Sequence, residues 1–317
     1  MEILIIGGTR FLGKILSDKF ITSKKVNLTV LSRNPIVNGF DCNVINMNRN
    51  KGLKTLKNKF FNLIFDFLVF DVNDIIEIRK LNFSKYIFIS TSWVNKLNKK
   101  NSIDKLIIDL DQKLANNLSP LTKKYLLGKR KAENKLFELL DEDKFHILRL
   151  PIFFGVNDHT NRFSFYLSRL LNNDNLILVD SGENICQIAY AEDLAKVLFL
   201  FSERLNIKET IINALPHKGM KVIEFISLIK KSINSNSKLL KIDRSILKKS
   251  FPEYLEHEPL WNEKLIDIGR NNIFNIFNFK STETEDWINK LTSSIGNNYS
   301  FSSELRIKEI KFINELI

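Results

Sequence analysis

Cysteine is scarce in this 317-residue chain: Cys42 and Cys186 are the only two, and they lie far apart. That excludes a disulfide scaffold and a thiolate zinc cluster, and it fits a reducing compartment. Both thiols are expected to behave as small hydrophobes. Glycine (11 residues) and proline (6) are few as well, which excludes collagen-like and linker-rich architectures. Long apolar runs are missing: none approaches the roughly 18–20 residues that span a bilayer, so no membrane partner is expected. The opening Met1-Glu2-Ile3-Leu4-Ile5-Ile6 has no basic segment and is followed by no small-residue cleavage site. It does not read as a secretory signal, and a cytoplasmic location is expected. The four histidines show no metal-ligand spacing, so no metal site is read and they are expected on surfaces or in loops.

What is present is ordinary globular material. Hydrophobic residues make up 44% and charged residues 26%, and the length suits one large or two smaller domains. Lys and Arg (48) outnumber Asp and Glu (36), for a net charge of +12. Such an excess can mark a nucleic-acid surface. Here the lysines are spread along the whole chain, and the densest runs, Asn98-Lys99-Lys100 and the stretch 123–131, are short. A general bias toward lysine explains the charge more simply than a binding stripe does.

Apolar runs at 3–6, 28–31, 60–70, 86–89 and 146–150 have strand length without strict alternation, the pattern of strands buried on both faces. Helical spacing occupies 11–21, 72–81, 123–140 and 191–201. Strand and helix in alternation predict an α/β fold with a parallel sheet, and right-handed crossovers make that sheet doubly wound. The second half reads as a smaller mixed α/β lobe. It has helices at 162–171, 221–233 and 282–291, a turn at 181–184 leading to a strand at 185–190, and no clear period over 235–272. The 25 phenylalanines, dense at 60–61, 65–70 and 274–279, are expected in the core.

The strongest local signal is Ile5-Ile6-Gly7-Gly8-Thr9-Arg10-Phe11-Leu12-Gly13. A buried strand ends at Gly7, a tight turn follows, and an amphipathic helix begins near Phe11. Glycine lets backbone amides approach a pyrophosphate, and the helix start supplies unpaired N–H groups and a positive dipole end. Gly13 lets the helix lie close on the sheet. The turn is therefore a candidate dinucleotide site built from Gly7, Thr9, Arg10, Phe11, Leu12 and Gly13. The second strand ends in Leu31-Ser32-Arg33-Asn34, without the Asp or Glu that accepts hydrogen bonds from an adenosine ribose diol. Ser32, Arg33 and Arg10 suit a 2′-phosphate instead, so NADP is favoured over NAD.

Tyr125-Leu126-Leu127-Gly128-Lys129 puts a phenol and an ammonium four residues apart, on one face of a helix. A neighbouring cation favours the phenolate, which makes tyrosine a workable acid/base near neutrality. The apolar strand 86–89 runs into Ser90-Thr91-Ser92-Trp93, so hydroxyls stand at the carboxyl end of a sheet strand, where ligands of open α/β sheets collect. Further along come Leu148-Arg149-Leu150-Pro151-Ile152-Phe153-Phe154-Gly155 and a segment at 187–195 that ends in Asp193-Leu194-Ala195.

In that order, over residues 1–215 and more loosely beyond, these motifs resemble an extended short-chain dehydrogenase/reductase of the NAD(P)-dependent epimerase/dehydratase family. The resemblance implies a Rossmann domain over 1–155, to which 183–215 return. A substrate lobe is then expected from 156–182 and 216–317, with a small-molecule substrate between the lobes and a homodimer as an assembly to test. It implies that Thr91 is the hydroxyl partner, Tyr125 the acid/base, and Lys129 the residue that tunes the phenol and holds the nicotinamide ribose. Ser90 and Pro151 would also lie at the dinucleotide. The expected activity is that of an oxidoreductase or epimerase, with hydride transfer at a carbinol or ketone carbon of a sugar nucleotide or related molecule.

Three departures shape this expectation. Arg10 replaces the middle glycine of the usual turn, and the resulting Gly-Gly-Thr-Arg-Phe-Leu-Gly is similar to the branch that includes chloroplast stem-loop RNA-binding proteins. RNA binding or regulation is therefore the alternative function. Thr91 is followed by Ser92-Trp93, where 4,6-dehydratases carry Asp-Glu, which argues against dehydration. Ile152 stands where many sugar-nucleotide enzymes have a substrate-contacting asparagine, which argues against a UDP- or dTDP-sugar.

Overall fold

Ile3, Leu4, Ile5 and Ile6 are all fully buried, as a strand covered on both faces must be. They belong to β1 (Glu2–Ile6) in a computed structural model that describes residues 1–34, 41–97, 119–215, 219–261, 263, 272–295 and 304–316. Residues 98–100, one of the two dense lysine runs, and His217 lie outside the described residues. The chain divides into two compact units, Met1–Phe153 with Ala191–Pro216 and Ile266–Ser281, and Phe154–Tyr190 with His217–Leu265 and Thr282–Ile317.

The first unit is built on a seven-stranded sheet. Its strands are β1, β2 (Asn27–Ser32), β3 (Asn43–Asn46), β4 (Phe60–Asp66), β5 (Asn82–Thr91), β6 (Phe145–Leu150) and β7 (Ile211–Asn213). They lie in the order β3-β2-β1-β4-β5-β6-β7, and every pairing is parallel. From β1 the chain steps outward to β3, then crosses back to β4 on the other side. The direction of winding reverses between β1 and β4, where Ile6 and Asp66 are register partners at the carboxyl ends. Such a switch point is where open α/β sheets hold ligands.

Helices cover both faces. Leu4, Ile6 and Ile64 join a cluster with Leu53 of α2 (Arg49–Thr55), Ile75 and Ile78 of α3 (Val72–Ile78) and Leu136 of α4 (Pro120–Leu139). On the opposite face Phe65 meets Phe20 of α1 (Phe11–Ser23), whose ring also meets Phe199 of α5 (Ala191–Leu200). Each fully buried large aliphatic or phenyl side chain contributes about 1.5–3 kcal/mol, so the alternation of Ile64 and Phe65 stabilises both layers at once.

Several details differ from the sequence expectation. The strand expected over 60–70 stops at Asp66, because its carboxylate accepts the Leu68 N–H at 2.9 Å and turns the chain out of the sheet. Phe70 is consequently 53% exposed, and Phe60 at the other end of β4 is exposed too, so two phenylalanines lie outside the core. His146, expected at the surface, is buried on β6 with Nδ1 2.8 Å from the Glu209 carbonyl; burial lowers its pKa. In the basic stretch 123–131, Lys129 and Arg130 are buried, which breaks any continuous cationic stripe there. The expected return to the sheet unit at 183 begins instead at Ala191, because Ile185–Cys186 pairs antiparallel with Met220–Lys221 inside the second unit.

The second unit is smaller and mixed. Leu176–Val179 pairs in parallel with Leu239–Ile242, a strand hidden in the stretch that lacks a clear period. Its core is aromatic: the Phe154 ring stacks on Phe225 and Trp287, and Trp287 lies nearly flat on Tyr190 at 5.8 Å. Arg169 on helix Arg162–Leu171 is locked bidentately to Glu309 on helix Glu304–Leu316, both side chains fully buried. No helix among the described residues is long and apolar enough to cross a membrane.

Candidate functional site

β1 leads into Gly7, whose φ of +89° lies in the region that only glycine occupies freely. A Cβ added to Gly13 would come within 2.3 Å of the Gly7 carbonyl oxygen, so α1 starts as close to the strand end as a glycine permits. The Ser17 hydroxyl lies 2.9 Å from both the Gly8 and the Gly13 carbonyl oxygens and ties turn to helix. At the N-cap, Arg10 is extended and makes no side-chain capping bond, and the first turn holds no acidic residue. The helix start is therefore left cationic in character, with its backbone brought forward by glycines. The side chains of Phe11 and Leu12 are buried, the Phe11 ring stacked on Phe153 at 5.0 Å. They offer a ligand only their backbone.

Around this turn the end of β2 carries polar groups. The Thr9 and Ser32 hydroxyl oxygens are 2.5 Å apart, and Ser32 Oγ also accepts the Asn34 N–H at 3.3 Å. Arg10 crosses from the turn to Asn34, Nη2 to Oδ1 3.1 Å, while Arg33 is exposed beside it. Turn and strand end thus bring Thr9, Arg10, Ser32 and Asn34 together, and Arg33, between the last two in the chain, is exposed.

The second group of residues stands on α4 and the end of β5. Ser119 caps α4 by accepting the Thr122 N–H, and Pro120 occupies the first turn, where its missing N–H costs nothing. Tyr125 is 38% exposed, whereas Lys129, one turn later, is buried. The Lys129 ammonium donates to the Ile89 carbonyl at 2.8 Å and sits 5.8 Å from the Tyr125 ring centre. Phe88 and Phe70 face it at 5.0 and 5.4 Å. Burial pushes its pKa down to about 8, against the opposing pull of Asp66, Glu133 and Asp74. Helix and loop touch through backbone here: a Cβ on Gly128 would lie 2.1 Å from the Phe70 carbonyl oxygen.

Thr91 ends β5 with its hydroxyl accepting the Trp93 N–H at 3.3 Å. Ser90, expected at the dinucleotide, donates its hydroxyl to Glu133 at 2.6 Å. Pro151 is buried directly after β6. Sequence reasoning missed Glu133, Arg149 and Asn95, which form a buried network beneath Ser90. A signal was there: Arg149 is the lone fixed charge in the apolar strand FHILRL, and Glu133 follows Lys129 by one helical turn.

No protein-family model and no curated protein matches the sequence. Solved structures do. UDP-glucuronic acid 4-epimerase from Bacillus cereus in complex with NAD superposes with a TM-score of 0.69 at 14% identity, covering 96% of this chain and 99% of that one. dTDP-glucose 4,6-dehydratase from Bacillus anthracis in complex with NAD gives 0.67 at 14% identity, over 92% and 94%. UDP-N-acetylglucosamine 4-epimerase from Methanobrevibacter ruminantium, in complex with UDP-N-acetylmuramic acid, gives 0.63 at 18% identity, over 91% and 96%. The chain has the fold of the extended short-chain dehydrogenase/reductases, the one its motifs resemble. At these identities the likeness is one of fold.

Proposed function

We propose that this chain is a nicotinamide-dinucleotide-dependent epimerase or reductase acting on a small molecule with a carbinol or ketone carbon. One observation carries the reading: Tyr125, half-exposed on α4, has the buried Lys129 ammonium beneath its ring, held to the strand that ends in Thr91. A binding fold put to other use has no need of such a pair.

The glycine turn fits a dinucleotide, since a Cβ at Gly13 would close the approach and no side chain caps α1. Gly7, Thr9, Gly13 and the helix start would hold the phosphates, and Ser32, Arg33 and Arg10 the adenosine ribose. When bound, the dinucleotide supplies hydride exchange at its nicotinamide ring. The chain's own residues handle the proton. Tyr125 gives it to, or takes it from, the substrate oxygen, Thr91 offers a hydroxyl to that oxygen, and the Lys129 charge favours the phenolate. Ser92-Trp93 after Thr91 supplies neither acid nor base for eliminating water, so dehydration is not proposed.

Arg10 and Arg33, with no carboxylate at the end of β2, favour NADP, although two of the similar enzymes were captured with NAD. Titration with NADPH and NADH by nucleotide fluorescence tests both points. Saturable binding, tighter for NADPH and weakened about 10–100-fold in Arg33→Ser, supports the reading. Folded protein that binds neither nucleotide ends it. RNA affinity with a steep salt slope and no nucleotide binding would favour the alternative.

A further inference from the structure

The helix that carries Tyr125 is fastened to β5 at two points one turn apart. Lys129 donates to the Ile89 carbonyl, and Glu133 accepts the Ser90 hydroxyl. Arg149 of β6 stands opposite Ser90 in the sheet register and donates to both oxygens of Glu133, Nε at 3.2 Å and Nη2 at 2.7 Å. Its Nη1 reaches Asn95 Oδ1 at 2.9 Å, just beyond the end of β5. Tyr125, Lys129 and Glu133 recur at four-residue steps and share one helical stripe.

We infer that Glu133 is a positioning residue for the Tyr125–Lys129 pair: anchored by Ser90 and Arg149, its carboxylate sets the rotation and height of α4 against the Thr91 strand end and holds the charge on Lys129. This rests on the roles of Tyr125 and Lys129 proposed above. Two attachments at successive turns fix both the roll and the slide of a helix, which one alone cannot do. The electrostatic part follows from what surrounds Lys129. Among the described residues it makes no ion pair; its hydrogen-bond acceptor is a neutral carbonyl and its flanks are aromatic. Asp66 from β4, Asp74 from α3 and Glu133 from its own helix favour the ammonium, while burial and Arg49 oppose it. Glu133 is the carboxylate among these whose distance the helix itself fixes.

The test labels lysine with ¹³C at Cε in the full chain and follows Lys129 by NMR, its signal assigned by its loss in Lys129→Arg. Wild-type protein should titrate with a midpoint near pH 8. Glu133→Gln keeps shape and an acceptor but removes the charge, and should lower that midpoint by about one pH unit. Because it leaves Arg149 buried without its carboxylate, Glu133→Gln/Arg149→Met is measured beside it and should shift in the same direction. The pH profile of NADPH affinity should move with the midpoint. Folded variants whose Lys129 midpoint stays at the wild-type value overturn the inference. A shifted midpoint in protein that binds no NADPH would instead refute the proposed function while upholding the hold of Glu133 on Lys129.

Discussion

Among the described residues each unit holds a fully buried arginine–glutamate pair, and the two do different things. In the sheet unit, Arg149 and Glu133 are 16 residues apart, and the carboxylate also takes the Ser90 hydroxyl at the end of the strand that carries Thr91. In the second unit, Arg169 and Glu309 are 140 residues apart, and Arg306 on the same helix as Glu309 adds an ion pair to that carboxylate. The first pair shapes a candidate site from within. The second ties the helix Glu304–Leu316 to the helix Arg162–Leu171 in the unit's core. Burying such a pair gains little net stability over apolar side chains of equal volume, so its use lies in what it fixes.

That contrast can be broken most forcefully in the second unit. Glu309→Leu leaves the Arg169 guanidinium buried without its carboxylate and should cost about 3–5 kcal/mol in urea unfolding, whereas Arg169→Met/Glu309→Leu should recover most of it. Nucleotide binding by the double variant should stay as in the wild type; the matching Arg149→Met/Glu133→Leu should fold but bind and turn over poorly. The next effect is a gain. The folded pKa of Lys129, about 8, lies below its ordinary 10.5, so the unfolded chain binds more protons between those values and wild-type stability rises with pH across that window. Lys129→Met should flatten the rise and add roughly 2–3 kcal/mol at pH 7, at the expense of activity. Gly13→Ala should cost about 1–3 kcal/mol by pushing α1 off the strand end, and nucleotide titration should show weaker binding.

The last effect belongs to the second unit and is read as a slope with pH. Burial raises Glu258 to about 7, despite bonds from Tyr166 and from the Trp261 and Leu260 amides. A carboxyl raised above its ordinary 4.5 adds stability below that value and loses it as pH climbs through about 7. Glu258→Gln should remove this slope in melts taken between those pH values, so that the two proteins differ least near pH 4.5 and the variant gains on the wild type as pH climbs toward 7.

The sheet was legible because strands buried on both faces are mostly apolar, and 3–6, 28–31 and 146–150 are, with Thr29, His146 and Arg149 as their polar members. What escaped was short or polar: β3 is Asn-Val-Ile-Asn, β7 has three residues, and the strand Leu239–Ile242 lies between polar segments. Of the candidate site, the glycine turn and the Tyr–Lys spacing were legible because each is local in sequence. The Glu133 network was not, since it depends on Ser90 and Arg149 standing opposite each other across two strands, and register is not written in either strand alone. Asp66 was hidden the same way: in an apolar run it looked like a strand residue, and only its bond to the Leu68 amide makes it a stop signal.

Gly128 leaves the phenol-bearing helix no clearance at all: main chain rides on main chain at Phe70, like a shaft in a sleeve without play. Tolerances that tight make the helix unable to drift toward the loop, and they make residue 128 a place where even a single methyl would have to lift Tyr125 away from the strand it serves.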